Sequence, residues 1–100
     1  MSVVIIGHVK CDPEKLKQVF ESHVADVEAI TKTSATMGAI SHRFIQGDGE
    51  LVILDEWDTA EHFQEFFSSQ PMIGQMMAEA GVAGPPTIEV YQAVTTAGDF

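Results

Sequence analysis

Two short segments of this chain are apolar on both sides of an extended strand. They read VVIIGHV (residues 3–9) and LVILDEW (residues 51–57). Because successive side chains of a strand point to opposite faces, Ile5 lies on one face of the first segment and Ile6 on the other. The second segment alternates in the same way. A sheet built around these two strands therefore needs apolar cover on both faces.

A long amphipathic helix is expected after the first strand. Asp12 has the position of an N-cap, and Pro13 has that of the first helical residue, where its missing N–H costs nothing. One helix of about five turns is expected, and it fades before Gly38. Its buried stripe recurs at intervals of three and four residues: Leu16, Val19, Phe20, His23, Val24, Val27 and Ile30.

A second helical region is expected after the Trp of residues 51–57. Asp58 and Glu61 have the spacing of a capping box. The helix that they begin carries three phenylalanines on one side: Phe63, Phe66 and Phe67. A further short helix opens at Pro71, and its methionine stripe is expected to form core or a lid over a pocket: Met72, Met76 and Met77.

The remaining elements are strands, and together they define the fold class. AISHRFI (residues 39–45) and LVILDEW (residues 51–57) are joined by the glycine-bearing hairpin turn QGDGE, and TIEVYQAV (residues 87–94) forms the last strand. With right-handed crossovers, the order βαββαβ predicts an α+β, ferredoxin-like fold. It has a four-stranded antiparallel sheet with the helices on one face. We expect residues 1–100 to form a single domain with a core of about 3–94 and a loose C-terminal tail.

Helices on one face leave the other apolar face of this sheet bare. Such a face would expose several hundred Å² of hydrocarbon, which is more than soluble monomers usually tolerate. We therefore expect a homodimer that packs sheet against sheet, with a barrel-like core between the two copies.

Composition and charge exclude several classes of partner. The chain has 15 acidic residues against 5 Lys and Arg, for a formal net charge of -10. It therefore lacks the basic surface that nucleic acids or anionic membranes require. No apolar run reaches the length of a membrane span, and the N-terminus does not have the pattern of a signal peptide. The single cysteine, Cys11, fits a reducing compartment, so we expect a cytoplasmic protein.

The element order and three segments resemble the antibiotic biosynthesis monooxygenase domain of the dimeric α+β barrel group. The segments are GAISHRFIQGDGE, LVILDEWDTAEHF and the closing GPPTIEVYQ, and the resemblance covers residues 3–94. It implies the dimeric ferredoxin-like fold. The family includes cofactor-free quinone-forming monooxygenases and haem-degrading enzymes, so the resemblance also implies a flat aromatic substrate beside the strand-end Trp57.

Three positions depart from the patterns of that family. The haem degraders carry a histidine where this chain has Phe66 and an asparagine where it has Gly7. Phenylalanine cannot bind iron, so haem degradation of that type is not expected. The quinone-forming members carry an asparagine where Ile53 stands, and of their recognisable catalytic set this chain plainly keeps Trp57.

The candidate substrate-binding residues surround this tryptophan. Trp57 is either a core anchor or a pocket wall that stacks on an aromatic ring and offers its indole N–H. The resemblance places Gly7 on the same face, where the missing side chain would leave a cavity beside the indole. Four further residues are expected to line this pocket: Ile53, Phe63, Phe66 and Met76.

Two histidines are the catalytic candidates. His42 interrupts a strand, and an imidazole can take a proton from an acidic phenol near neutral pH. His8 follows Gly7 and should point to the opposite face, so it is either a second base or a hydrogen-bonded structural histidine. His23 is interpreted as a core residue and His62 as a surface residue. The four histidines lack the spacing of a metal site, and no cofactor motif is present, so neither a metal nor a cofactor is expected.

Three functions are compatible with these features. The first is a cofactor-independent oxygenase that acts on an activated phenol, a quinol or a polyketide-like aromatic, whose anion itself delivers an electron to oxygen. The second is a non-catalytic dimer that binds a small apolar ligand or has a stress or regulatory role. The third is an isomerase or cyclase that acts on related aromatics.

Overall fold

The computed structural model describes residues 1–99. The elements are β1 (Val3–Lys10), α1 (Pro13–Ser22), α2 (Val24–Met37), β2 (Ala39–Gly47), β3 (Glu50–Trp57), α3 (Ala60–Ser68), α4 (Pro71–Glu79) and β4 (Thr87–Gln92). The four strands form one antiparallel sheet in the order β2-β3-β1-β4. The predicted ferredoxin-like fold is confirmed, with each predicted helical crossover built from two helices.

The first crossover contains a break that the periodic stripe did not predict. His23 leaves the helical conformation (φ -125°, ψ 38°), and its N–H closes α1 by donating to the carbonyl of Phe20. Its ring contacts Asp26 of α2 at 3.2 Å and Glu79 of α4 at 2.9 Å. The continuous stripe is interrupted at this break: Val24, the first residue of α2 and expected to be buried, is 54% exposed.

The predicted N-cap of α1 is confirmed, whereas the N-cap of α3 lies one residue after the predicted one. The side chain of Asp12 accepts the N–H of Glu14, as an N-cap should. At α3 the cap is Thr59, whose hydroxyl accepts the N–H of His62, and not Asp58 as expected. The Asp58 carboxylate instead accepts the N–H of Thr59 and contacts the ring of His62.

Glycine is required where α2 turns into β2. Gly38 has φ 123°, and a Cβ there would stand 2.2 Å from Oδ1 of Asp58. Its carbonyl also accepts the N–H of Asp58, at 2.9 Å. The turn therefore fastens the start of β2 to the end of β3.

The two faces of the sheet differ in how they are covered. On the helix side, two clusters form the core, one around Trp57 and Ile5 and the other around Leu16 and Leu51. The other face, here called the open face, presents apolar side chains of all four strands: Val4, Ile6, Ile45, Val52, Leu54 and Tyr91. Ile45 is 46% and Tyr91 51% exposed. Both faces of the central strands are thus apolar, as predicted.

The C-terminal end differs slightly from the prediction. The last strand ends at Gln92, two residues before the predicted end. The predicted tail finishes at Phe100, which lies outside the described residues. Within residues 1–99, no helix is both long enough and apolar enough to cross a membrane.

Candidate functional site

An apolar cavity lies between the helices and the sheet. Its volume is about 100 Å³, and we call it the inner cavity. All four helices and strands β1, β2 and β3 contribute to its wall. The lining residues are Val9, Leu16, Phe20, Val27, Ile30, Thr31, Ser34, His42, Phe44, Ile53, Asp55, Phe63, Phe66, Phe67, Ile73, Met76 and Met77. The predicted site residues His42, Ile53, Phe63, Phe66 and Met76 are therefore brought together.

The inner cavity has one polar corner, formed by His42 and Asp55. These residues face each other across the β2–β3 hairpin, on the helix side of the sheet. Nδ1 of His42 lies 2.5 Å from Oδ1 of Asp55. The side chain of His42 is 37% exposed and that of Asp55 only 8%. A buried carboxylate thus holds an imidazole whose other nitrogen, Nε2, remains for a ligand.

The other polar groups of the wall are engaged within their own helix. The Thr31 hydroxyl donates to the carbonyl of Val27 at 2.8 Å, and the Ser34 hydroxyl donates to that of Thr31 at 2.7 Å. Among the residues that line the cavity, only the His42–Asp55 pair is titratable. A ligand in the cavity would therefore meet hydrocarbon everywhere except at this corner.

The tryptophan supports the site from behind and does not line it. Trp57 is fully buried, and its indole N–H donates to Oδ2 of Asp55 at 3.2 Å. Its ring packs on Phe63 and Phe66, with centroids 5.7 and 5.3 Å apart, and these two residues do line the cavity. The core-anchor interpretation therefore describes the structure, and the indole N–H serves a carboxylate and not a substrate.

Gly7 lies on the same face as Trp57, as predicted, but no cavity opens beside it. Gly7 pairs with Ile53, whereas Trp57 pairs with Val3, four residues away along β1. A Cβ on Gly7 would meet Cδ1 of Ile88 at 3.1 Å and Cβ of Ile53 at 3.5 Å. Two isoleucines thus fill the space that the missing side chain was expected to leave.

His8 points away from the cavity, toward the open face, as the strand alternation predicted. Its two ring nitrogens lie 2.7 Å from Glu50 and 2.8 Å from Glu89. The hydrogen bond to Glu50, and after it that to Glu89, raises the pKa of His8 above its ordinary value. Glu89 also accepts the hydroxyl of Tyr91, at 2.8 Å. The two catalytic candidates thus lie on opposite faces, and His8 cannot act in the inner cavity.

The other two histidines also lie outside the cavity wall. The hydrogen bond that the ring of His23 donates to Asp26 is the main cause of the raised pKa of His23. The corresponding bond from His62 to Asp58 is the main cause of the raised pKa of His62. In residues 1–99, no cluster of three His, Cys, Asp or Glu side chains has the geometry to hold a metal ion.

A second hollow, here called the outer depression, lies on the open face behind the strand positions of His42 and Asp55. Its volume is about 380 Å³, and its lining residues are Val4, Ser41, His42, Arg43, Leu54, Asp55 and Glu56. It lies beside a register shift between Ala39 and Ser41. Because the side chains of His42 and Asp55 lie on the helix side, the sheet stands between them and this depression.

Sequence reasoning missed the role of Asp55, although a signal was present. The strand alternation assigned Asp55 and Glu56 to opposite faces, which is confirmed. The observed hairpin pairs Gly47 with Glu50 and His42 with Asp55. The turn expected from the sequence, residues 46–50, instead pairs residue 45 with 51 and places His42 opposite Leu54, one residue out of register. The two-residue spacing of Asp55 and Trp57 on β3 is the part of the signal that the sequence did carry, because it puts both side chains on the same face.

Comparison with solved structures gives the fold of the chain. A provisionally assigned antibiotic biosynthesis monooxygenase from Nitrosomonas europaea matches 97% of this chain with 94% of its own, at TM-score 0.70 and 14% identity. A similarly assigned protein from Caulobacter crescentus matches 94% with 91%, at TM-score 0.63 and 20% identity. SnoaB, a cofactor-independent oxygenase from Streptomyces nogalater, matches 98% with 98%, at TM-score 0.62 and 16% identity.

No protein-family model matches the sequence, and neither does any curated protein sequence. Proteins of the fold found here are typically dimeric. A fold shared at such low identity does not decide the chemistry of the site. Over almost its whole length, the chain has the ferredoxin-like α+β fold of these solved structures, which include provisionally assigned antibiotic biosynthesis monooxygenases.

Proposed function

We propose that this protein is a cofactor-independent oxygenase that acts on an activated phenol or quinol bound in the inner cavity. The observation that carries the proposal is the His42–Asp55 pair, which is the one titratable group in an otherwise apolar wall. A wall of this kind selects a flat apolar molecule and offers a base to one hydroxyl group. The likeness to SnoaB, which is a cofactor-independent oxygenase, supports the same class of reaction.

The chemistry starts with loss of the substrate's hydroxyl proton. Nε2 of His42 accepts this proton, and the imidazolium that forms is stabilised by the Asp55 carboxylate. The resulting anion is electron-rich and transfers an electron to O₂, after which oxygen adds to the ring. For a quinol the balance is quinol plus O₂ giving hydroxyquinone plus water. The substrate loses four electrons and O₂ gains four, so no other reductant is required.

The size of the inner cavity favours a substrate with one aromatic ring. A dry apolar cavity of about 150 Å³ in another protein accommodates benzene, and the inner cavity measures about 100 Å³. At about two thirds of that volume, the wall must expand somewhat even for a one-ring quinol, and much further for the polyketide-like aromatics considered from the sequence. A larger ring system would require the methionine-bearing helix α4 to move outward.

We also propose that the active form is a homodimer joined through the open face. Val52 and Leu54 lie at the centre of this face, and the outer depression opens onto it. A second copy packed there would remove the apolar side chains of the open face from water. In this proposal each protomer is a single domain of residues 1–100. Its one cysteine, Cys11, is free, which fits a reducing and therefore cytoplasmic location.

Oxygen consumption with methylhydroquinone as the probe tests the function. We expect one O₂ consumed per quinol, no hydrogen peroxide, and one atom of ¹⁸O₂ in the quinone. His42→Gln should lower the rate at least 100-fold, the usual lower limit for loss of a general base. The matched control, His62→Gln, should leave it within a few-fold because His62 is an exposed residue of α3 outside the cavity wall and the open face.

Two outcomes would refute the oxygenase proposal. One is an equal rate with His42→Gln and wild type, and the other is a quinol recovered unchanged from the protein after aerobic incubation. The second outcome would indicate the binding function, which the closed apolar wall also permits.

A further inference from the structure

We propose that Asp55 is the positioning residue of the site and that Trp57 holds it in place. In this arrangement a chain of two hydrogen bonds, from the indole to the carboxylate and from the imidazole to the carboxylate, fixes the proton of neutral His42 on Nδ1. The catalytic consequence depends on the proposed function, but the proton position does not.

Both carboxylate oxygens of Asp55 take part in hydrogen bonds. Oδ1 lies 2.5 Å from Nδ1 of His42, and Oδ2 lies 3.2 Å from Nε1 of Trp57. An ionised carboxylate can only accept hydrogen bonds, and an indole nitrogen can only donate. The hydrogen between Asp55 and His42 must therefore come from Nδ1. In the neutral ring this leaves Nε2 as the unprotonated nitrogen, which is the form that a base requires.

The hydrogen bond between Trp57 and Asp55 is held in a rigid setting, because both side chains are buried. Trp57 is 0% exposed and Asp55 7% exposed. The indole is packed against Phe63 and Phe66, so it cannot turn its N–H elsewhere. Water has little access to the carboxylate, so it competes poorly for the same oxygens. A charge-assisted hydrogen bond in such surroundings holds its geometry more strongly than an exposed one.

The strand backbone also fixes the positions of these three side chains relative to one another. Asp55 and Trp57 are two residues apart on β3 and so share the helix side of the sheet. His42 is the cross-strand partner of Asp55 on β2. Residues set on adjacent strands keep their separation better than residues on loops, which suits a group that must orient a base.

The proton position is measured directly by long-range ¹H–¹⁵N correlation spectra of the histidine rings in ¹⁵N-labelled protein. His42 is assigned by comparison with His42→Gln, and spectra are taken where the ring is neutral. Wild type should show an unprotonated Nε2 and a protonated Nδ1. Asp55→Asn should move a large part of the population to Nε2–H, because the new amide can donate to Nδ1.

Two further variants keep the inference testable if Asp55→Asn folds poorly. Trp57→Phe keeps a ring in the core but removes the donor, and it should shift the His42 population part of the way. Glu50→Gln, which alters the partner of His8, should leave His42 unchanged. A wild-type ring protonated on Nε2, or a His42 population unaffected by both Asp55→Asn and Trp57→Phe, would overturn the inference.

Turnover separates this inference from the proposed function. With methylhydroquinone we expect Asp55→Asn to lower kcat at least tenfold with little change in KM, since the base is misoriented while the apolar wall is intact. If the proton position behaves as described but no oxygen is consumed, the positioning role stands and the oxygenase proposal fails. If oxygen is consumed through His42 but the proton lies on Nε2, the positioning role fails alone.

Discussion

The hydrogen bond from Trp57 to Asp55 should be measurable as a coupling free energy. Trp57→Phe removes a hydrogen bond to a charged group, worth about 1.5–3 kcal/mol. It also leaves a cavity of about 40 Å³, which at about 24 cal/mol per Å³ adds about 1 kcal/mol. We therefore expect a loss of unfolding free energy of about 2.5–4 kcal/mol. Asp55→Asn weakens the same hydrogen bond. The double variant should therefore lose about 1–2 kcal/mol less unfolding free energy than the sum of the losses in the two single variants.

The assay is urea unfolding followed by far-UV circular dichroism, since the variant lacks the only tryptophan. Protomer concentration is held fixed, because a dimer's stability depends on it. Leu51→Ala is the control: Leu51 is 2% exposed, belongs to the other core cluster and is not among the residues that line the inner cavity. When this control is combined with Asp55→Asn, the loss of unfolding free energy should equal the sum of the two single losses to within about 0.5 kcal/mol. A coupling below that value for the Trp57 and Asp55 pair would refute the claim that the indole holds the carboxylate.

Three further predictions concern the turn, the pH dependence and the open face. Gly38→Ala should destabilise the protein by more than about 2 kcal/mol because φ is 123° and a Cβ would clash with a carboxylate. Gly74→Ala, in a helix with open space around it, should stabilise by about 0.5–1 kcal/mol in the same urea assay; equal effects would contradict the turn geometry. Two carboxylates, that of Glu50 most strongly, raise the pKa of His8. The stability that protonated His8 contributes to the folded state is therefore fully present below its unfolded pKa of about 6.5, and it is lost as the pH rises through the pKa of His8 in the folded protein. The urea midpoint of wild type should fall relative to His8→Gln across that range, and parallel curves would contradict it. Leu54→Lys should convert the proposed homodimer to a monomer in sedimentation velocity, and a dimer that persists in this variant would show that the open face is not the interface.

Strand faces and element order were predictable because alternation and turn residues are local signals. The apolar pairs in residues 3–9 and 51–57 fixed which side chains share a face, and the Asp12 cap was correct for the same local reason. The break at His23 was not predictable from the stripe. It is stabilised by Glu79, a residue 56 positions away along the chain, and periodicity carries no information on such contacts.

The site was predictable in its lining but not in its polar centre. Phe63, Phe66 and Met76 were found because helical spacing shows which side faces the sheet. The sequence left Trp57 open as a core anchor or a pocket wall, because burial of a strand-end aromatic depends on the helix packed over it. Asp55 was missed because it was considered on its own strand, whereas its partner is set by the hairpin register.

The most direct test of the account is the ionisation state of a phenol bound in the inner cavity. 4-Nitrophenol absorbs at different wavelengths as phenol and as phenolate, so its spectrum on binding reports whether His42 has taken the proton. At a pH where the free compound is mostly neutral, wild type should bind it as the phenolate, and His42→Phe should bind it as the neutral phenol. Binding in the neutral form to both proteins, or in the ionised form to both, would contradict the assignment of His42 as the base of this site.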